Sequence, residues 1–137
     1  MKKWFLIISL LVSAFLIISS CNKNRTFQIV SNSVSNYEIV YVGNVTESLY
    51  KPAELLKTYI DKISGSNITI VDENSQNIDK KKIFVGKTAS NSLQKNELSI
   101  NVDGQNLIIS GGSEEAVQHA VLVFLEEFLG CKWYTPT

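Results

Sequence analysis

Histidine occurs once and cysteine twice in 137 residues, and neither sign of charge dominates, with 13 basic and 13 acidic side chains. Each scarcity removes a class of chemistry. A zinc site needs three or four Cys, His or carboxylate ligands at characteristic spacing, which a single His119 and no closely spaced cysteine pair do not supply. HExxH and GxSxG are both absent, so helical zinc hydrolysis and a nucleophile elbow have no sequence support. No basic excess points to nucleic acid. With no internal repeat and no low-complexity segment, the expectation is one domain large enough to bury a core.

What is present begins with a leader. Lys2 and Lys3 precede an uncharged, mostly apolar run from Trp4 to Ile18, the layout of a secretory signal. The run closes on Ile18-Ser19-Ser20-Cys21, which resembles the lipobox of bacterial lipoproteins: cleavage would fall before Cys21, whose thiol would carry the lipid. An uncleaved transmembrane helix is the competing reading, but the apolar run falls short of the ~20 residues that span a bilayer comfortably. Residues 1–20 are thus expected to be a signal peptide and residues 21–26, Cys-Asn-Lys-Asn-Arg-Thr, a short polar tether. Without Lys2 and Lys3 the 13 basic residues become 11 against 13 acidic ones, a formal charge of −2. No acidic run follows Cys21, unlike in the surface-exposed lipoproteins of Bacteroides-like bacteria, and the lipoprotein resemblance then implies a body held at the periplasmic face of the outer membrane. With Cys21 lipidated, Cys131 lacks an internal partner, so no disulfide framework is expected, and no histidine lies near it in sequence to activate the thiol.

Periodicity places the elements. Strands are expected at Phe27 to Val30, Glu38 to Val42, Ile68 to Val71, Ile83 to Val85, Leu98 to Val102 and Leu107 to Ile109. Asp103-Gly104 turns the last two into a hairpin. A helix is expected from Pro52 to Gly65, with Pro52, Leu55, Leu56, Tyr59, Ile60 and Ile63 on its buried face. Its polar face offers an Lys57–Asp61 neighbour pair at i,i+4. A second helix is expected from a Ser113 cap to a Gly130 stop, burying Val117, Ala120, Val121, Phe124, Leu125 and Phe128. Gly111-Gly112 before it lacks the rest of a phosphate-binding loop, and Glu114 and Glu115 would repel an anion. Asn44 to Ser48 reads as a loop, and Lys80-Lys81-Lys82 as a solvated strand entrance.

No catalytic constellation emerges. A glycosidase needs two carboxylates flanking the scissile bond across a cleft, whereas the pairs Asp72-Glu73, Glu114-Glu115 and Glu126-Glu127 fall in loops or on polar helix faces, where solvation is the ordinary state.

The segments Ala53 to Gly65, Ile68 to Val71, Ile83 to Gly86, Asn106 to Gly112 and Val121 to Pro136, the last ending Leu-Gly-Cys-Lys-Trp-Tyr-Thr-Pro, together resemble one family in register. It is the N-terminal domain of bacterial alpha-glucuronidases, glycoside hydrolase family 67, and of related Bacteroides-type lipoproteins, akin to the second domain of beta-N-acetylhexosaminidases. The resemblance implies an α+β fold: a mixed, largely antiparallel sheet of about six strands with two helices packed on one face, over residues 27–137. It further implies a following (β/α)8 barrel that carries the catalytic acids, in cis or in trans, and no catalytic residue, cofactor or metal in this stretch. Trp133 and Tyr134 would lie near the domain junction, contacting either the neighbouring domain or a glycan. The expected role is a non-catalytic accessory domain of a polysaccharide-degrading hydrolase, truncated before its barrel. The alternatives are a stand-alone glycan-binding lipoprotein that stacks sugar on Trp133, Tyr134 and Tyr50, or a subunit docking a separately encoded barrel.

Overall fold

The computed structural model describes residues 27–42, 47–86 and 93–133. A two-residue hairpin, β1 (Val30–Ser31) and β2 (Val34–Ser35), leads into β3 (Tyr37–Val42), followed by α1 (Glu47–Ser64) and β4 (Thr69–Asp72). The chain continues through β5 (Lys81–Gly86), β6 (Leu98–Asp103), β7 (Asn106–Gly111) and α2 (Glu114–Glu127). The main sheet has five strands in the order β4-β3-β5-β7-β6. This is the expected α+β class: two helices, a mixed sheet and a separate small antiparallel hairpin.

The pairing sense differs from the family-based expectation. β3 pairs parallel with both β4 and β5, β5 pairs parallel with β7, and only β6–β7 is antiparallel. A helix between β3 and β4 enforces the first of these, because a crossover returns the chain to the end where it started. The expected sixth strand at Phe27 to Val30 is absent from this sheet. Both neighbours of β3 are already occupied, so that segment pairs only within its own hairpin, Val30 opposite Ser35.

Side-chain alternation divides the sheet into two faces. Tyr37, Ile39, Ile83, Val85, Leu107 and Ile109 point to the helices and join Leu56, Ile60, Val117, Val121, Phe124 and Leu125 in one core. The opposite face carries Val40, Phe84 and Ile108 in cross-strand register. Beside them lies a buried ion pair, Lys82 Nζ to Glu38 Oε1 at 2.8 Å. Glu38 also accepts from the Asn77 N–H at 2.8 Å, and the Lys82 ammonium donates to the Asn77 carbonyl. Lys82 is therefore buried, which corrects the reading of all three lysines as a solvated entrance; the pair moors the 73–80 connection to the sheet.

Helix α1 starts at Glu47, five residues before the expected Pro52, so Glu47 and Ser48 are helical and Pro52 lies inside. Pro52 is the sixth residue of the helix, where its missing N–H forfeits one i→i−4 bond, and its ring is fully buried. The helix ends as expected, with Gly65 at φ 68° and its N–H on the Asp61 carbonyl. Asp61 then ties the helix to β4: its carboxylate accepts from Lys57 Nζ at 2.6 Å, Ser66 Oγ at 2.9 Å and the Ile68 N–H at 2.9 Å. In α2, Ser113 at φ −139° accepts from the Ala116 N–H, the expected N-cap. The helix stops at Glu127, so Phe128 falls off the buried stripe and is 65 % exposed; Ile63, in the last turn of α1, is likewise 55 % exposed. Both were expected inside. The periodic pattern overshoots because a helix end splays its last apolar residue away from the core.

Candidate functional site

Strands β3, β4, β5 and β7 begin at one end of the molecule, and both helices and β6 finish there. At the opposite end, where α2 starts, the residues preceding β6 close against the helix N-terminus. Gly112 permits this: a Cβ there would lie 1.8 Å from the Gln94 carbonyl oxygen. The Gly112 N–H donates to the Glu97 carbonyl at 2.9 Å. The glycine pair is thus a packing device, with one of its amides already committed within the chain.

This junction forms an open cleft of about 430 Å³ lined by Lys95, Asn96, Ser113, Glu115, Ala116 and His119. His119 and Glu115 stand one turn apart on the solvent side of α2. The Glu115 carboxylate is held below the ordinary carboxylate range, first by its own backbone N–H, then by the Ser113 hydroxyl, with the Lys95 charge adding to them. It is fully solvated and ionised, in keeping with a helix N-terminus that favours negative charge. The cleft presents no second carboxylate to face Glu115, so the acid pair that glycoside hydrolysis requires is not formed here. Among the described residues no group of three or more His, Cys, Asp and Glu side chains could hold a metal ion. Asp72, Glu73 and Glu127 are peripheral, as expected from their positions.

Trp133 lies at the other end of the molecule. It is 41 % exposed and meets Tyr59 of α1 edge to face, with ring centroids 5.1 Å apart. Lys62 lies over the same Tyr59 ring at 5.6 Å. Phe128 stacks on Phe124 at 5.5 Å and turns its other face outward, an exposed aromatic that the sequence pattern had placed in the core. Tyr50 packs against Tyr41 near the start of α1, at the opposite end of that helix from Trp133. Tyr50 and Trp133 therefore do not form one stacking platform. Tyr134 and Cys21 lie outside the described residues. Cys131 is half-buried, and its backbone N–H reaches back to the Leu125 carbonyl at 3.0 Å, so this cysteine fastens the exit of α2.

No protein-family profile matches this chain, and no curated protein does. Among solved structures it is similar to a GH138 enzyme targeting pectin rhamnogalacturonan II, at 15 % sequence identity and a TM-score of 0.53. The likeness covers 69 % of this chain and 13 % of that enzyme. It is a likeness of fold, and the chain spans a small fraction of the neighbour's length.

Proposed function

We propose that this chain is a non-catalytic accessory module of a glycoside hydrolase, a domain whose work is to support and position a separate catalytic barrel acting on a plant-type polysaccharide. The observation that carries the reading is the shared fold: 69 % of the chain superimposes on 13 % of a pectin-directed hydrolase, a proportion suited to one supporting domain of a larger enzyme. The solvated Glu115 of the Lys95–His119 cleft, which faces no second carboxylate among the residues lining it, supports the non-catalytic part. The alpha-glucuronidase resemblance of the segments from Ala53 to Pro136 narrows the proposed partner to a barrel that cleaves acidic sugar linkages. The leader of residues 1–20, followed by Cys21, supports export as a lipoprotein.

The test is direct. The purified chain is incubated with glucuronic-acid-substituted xylo-oligosaccharides and with rhamnogalacturonan II fragments, and released sugar is measured. No release is expected; turnover abolished by Glu115→Gln would overturn the non-catalytic reading. Cross-linking in the native envelope is expected to join the chain to a hydrolase barrel, and a chain that cross-links to no hydrolase would sink the accessory role.

A second reading, direct glycan binding, draws on the exposed rings of Trp133 and Phe128. Calorimetric titration with the same oligosaccharides separates it. Heat saturating below millimolar concentration and lost in Trp133→Ala favours it, and flat titrations reject it.

A further inference from the structure

Among the described residues, seven large apolar side chains are exposed: Val34, Tyr50, Ile63, Ile78, Val102, Phe128 and Trp133. Six of them collect at the end where the parallel strands begin. Val34 sits in the hairpin whose Ser33 hydroxyl donates to the Ser64 carbonyl at the end of α1. Ile63 is in the last turn of that helix, and Phe128 and Trp133 follow the end of α2. Val102 pairs with Leu107 at the start of β7, where the Tyr37 hydroxyl reaches the Gln105 carbonyl. Ile78 is 94 % exposed beside Asn77, which is bonded to Glu38 and Lys82 near the starts of β3 and β5. Tyr50 alone lies elsewhere.

The chain also enters at this pole. Phe27 packs on Tyr37, the first residue of β3, with ring centroids 5.4 Å apart. Cys21 precedes Phe27 by six residues, a length of chain that reaches at most about 20 Å when extended. A lipid on Cys21 would therefore hold this pole within about 20 Å of the bilayer.

We propose that this pole is a membrane-contacting surface that rests in the headgroup region beside the anchor, with Trp133, Phe128 and Ile63 as its principal inserted side chains. The proposal rests on the reading of Cys21 as lipidated. The chemistry of the pole suits a lipid interface better than a protein one. Its six apolar residues come from five separate segments, only Phe128 and Trp133 sharing one, whereas a protein interface concentrates a contiguous apolar core. The Lys62 and Lys81 ammonium groups lie over the Tyr59 and Tyr37 rings, 5.6 and 5.5 Å from the centroids, and by swinging off these rings they would reach headgroups as interfacial lysines do. Tryptophan favours such a boundary because its ring is apolar and its N–H is not. Lys62, Lys80, Lys81 and Lys132 are matched there by Asp79, Asp103, Glu126 and Glu127, so contact should depend weakly on anionic lipid and on salt.

The test uses the full chain with Trp4→Phe, which leaves Trp133 as the single tryptophan. It is recovered from bacterial membranes and reconstituted into phosphatidylethanolamine–phosphatidylglycerol vesicles with or without brominated acyl chains. Flotation reads the anchor, and Trp133 emission reads the pole. The expected result is flotation together with loss of roughly half the Trp133 emission to bromine, because interfacial side chains sit about 5–10 Å into the boundary. Adding Ile63→Asp and Phe128→Asp should cut that quenching severalfold without abolishing flotation. A Tyr50→Trp probe at the opposite end, with Trp133→Phe, should remain unquenched.

Flotation with an unquenched Trp133, or equal quenching of both probes, overturns the proposal and leaves the lipid anchor standing. A chain that fails to float overturns both. Trp133 shielded from iodide but not quenched by bromine means a second copy or another protein covers the pole, which also overturns it.

Discussion

Asp61 shows how one carboxylate can hold two elements together. Burial raises its pKa, but the hydrogen bonds from Lys57, the Ile68 N–H and Ser66, with the Lys57 charge, outweigh that and hold it below its ordinary value near 3.8. A group depressed on folding contributes stability above its unfolded pKa and loses it as pH falls through the folded one. The fold should therefore weaken below about pH 4, in part through this residue. Asp61→Asn is expected to cost about 1–3 kcal/mol at pH 7, the worth of charge-assisted hydrogen bonds. Urea unfolding from pH 7 to pH 3 checks it: the gap between variant and parent should close at the acid end, and a gap independent of pH would show that the carboxylate charge is irrelevant. The Lys57–Asp61 pair was legible in the sequence as an i,i+4 spacing. The Ser66 and Ile68 donors were not, because they reach Asp61 only after Gly65 turns the chain back at positive φ. Glu38 and Lys82 were hidden for a similar reason: they are 44 positions apart and meet only through strand pairing.

At the scale of elements, the contact between the β5–β6 connection and α2 depends on one missing methyl group. A Cβ on Gly112 would fall 1.8 Å from the Gln94 oxygen, a backbone atom that cannot swing aside. Gly112→Ala should therefore push residues 93–97 off the helix N-terminus and open the Lys95–Glu115 cleft. Stability should fall by about 1–3 kcal/mol, the usual cost of overpacking. Amide exchange is the measurement, with the Gly112 N–H, now bonded to Glu97, expected to lose protection first. Unchanged exchange there would mean the loop yields at no cost. The elements themselves were largely readable: both helices, the Asp103-Gly104 hairpin, the Ser113 cap and the Gly65 and Gly130 stops follow from local chemistry. Helix ends were read less well, since Pro52 concealed an earlier start and the apolar period ran on into Ile63 and Phe128. Strand sense was the largest miss. A helical crossover declares β3 and β4 parallel, but nothing local announces that the 73–80 connection carries the chain past β3 to a parallel β5. Of the candidate site, Trp133 was singled out by the family resemblance rather than by local chemistry, and the Lys95–His119 cleft was invisible because it joins residues from two separate segments.

At the scale of the whole molecule, the two sheet faces are unequal. The helix-covered face holds the core, in which Val121 is fully buried among Leu56, Ile109 and Leu125. The other face has Val40, equally inaccessible yet outside that core, beside the Glu38–Lys82 pair. Val121→Ala and Val40→Ala delete the same atoms, so their difference isolates packing from transfer. A core valine surrounded on all sides leaves a cavity that relaxes poorly, and Val121→Ala should cost about 2–3 kcal/mol. Val40→Ala should cost about 1 kcal/mol, mostly the lost transfer energy, because its cross-strand neighbour Phe84 is only half-buried and has room to close in. A domain of this size has only about 5–15 kcal/mol in hand, so both values should be readable as shifts in the urea midpoint at constant slope. Equal costs would mean that the second face is packed as tightly as the first and that the domain is stabilised on both sides of its sheet. The predicted inequality places the stability in the helix layer, so that Val40, Phe84 and Ile108 contribute less to the fold than their apolar character alone suggests.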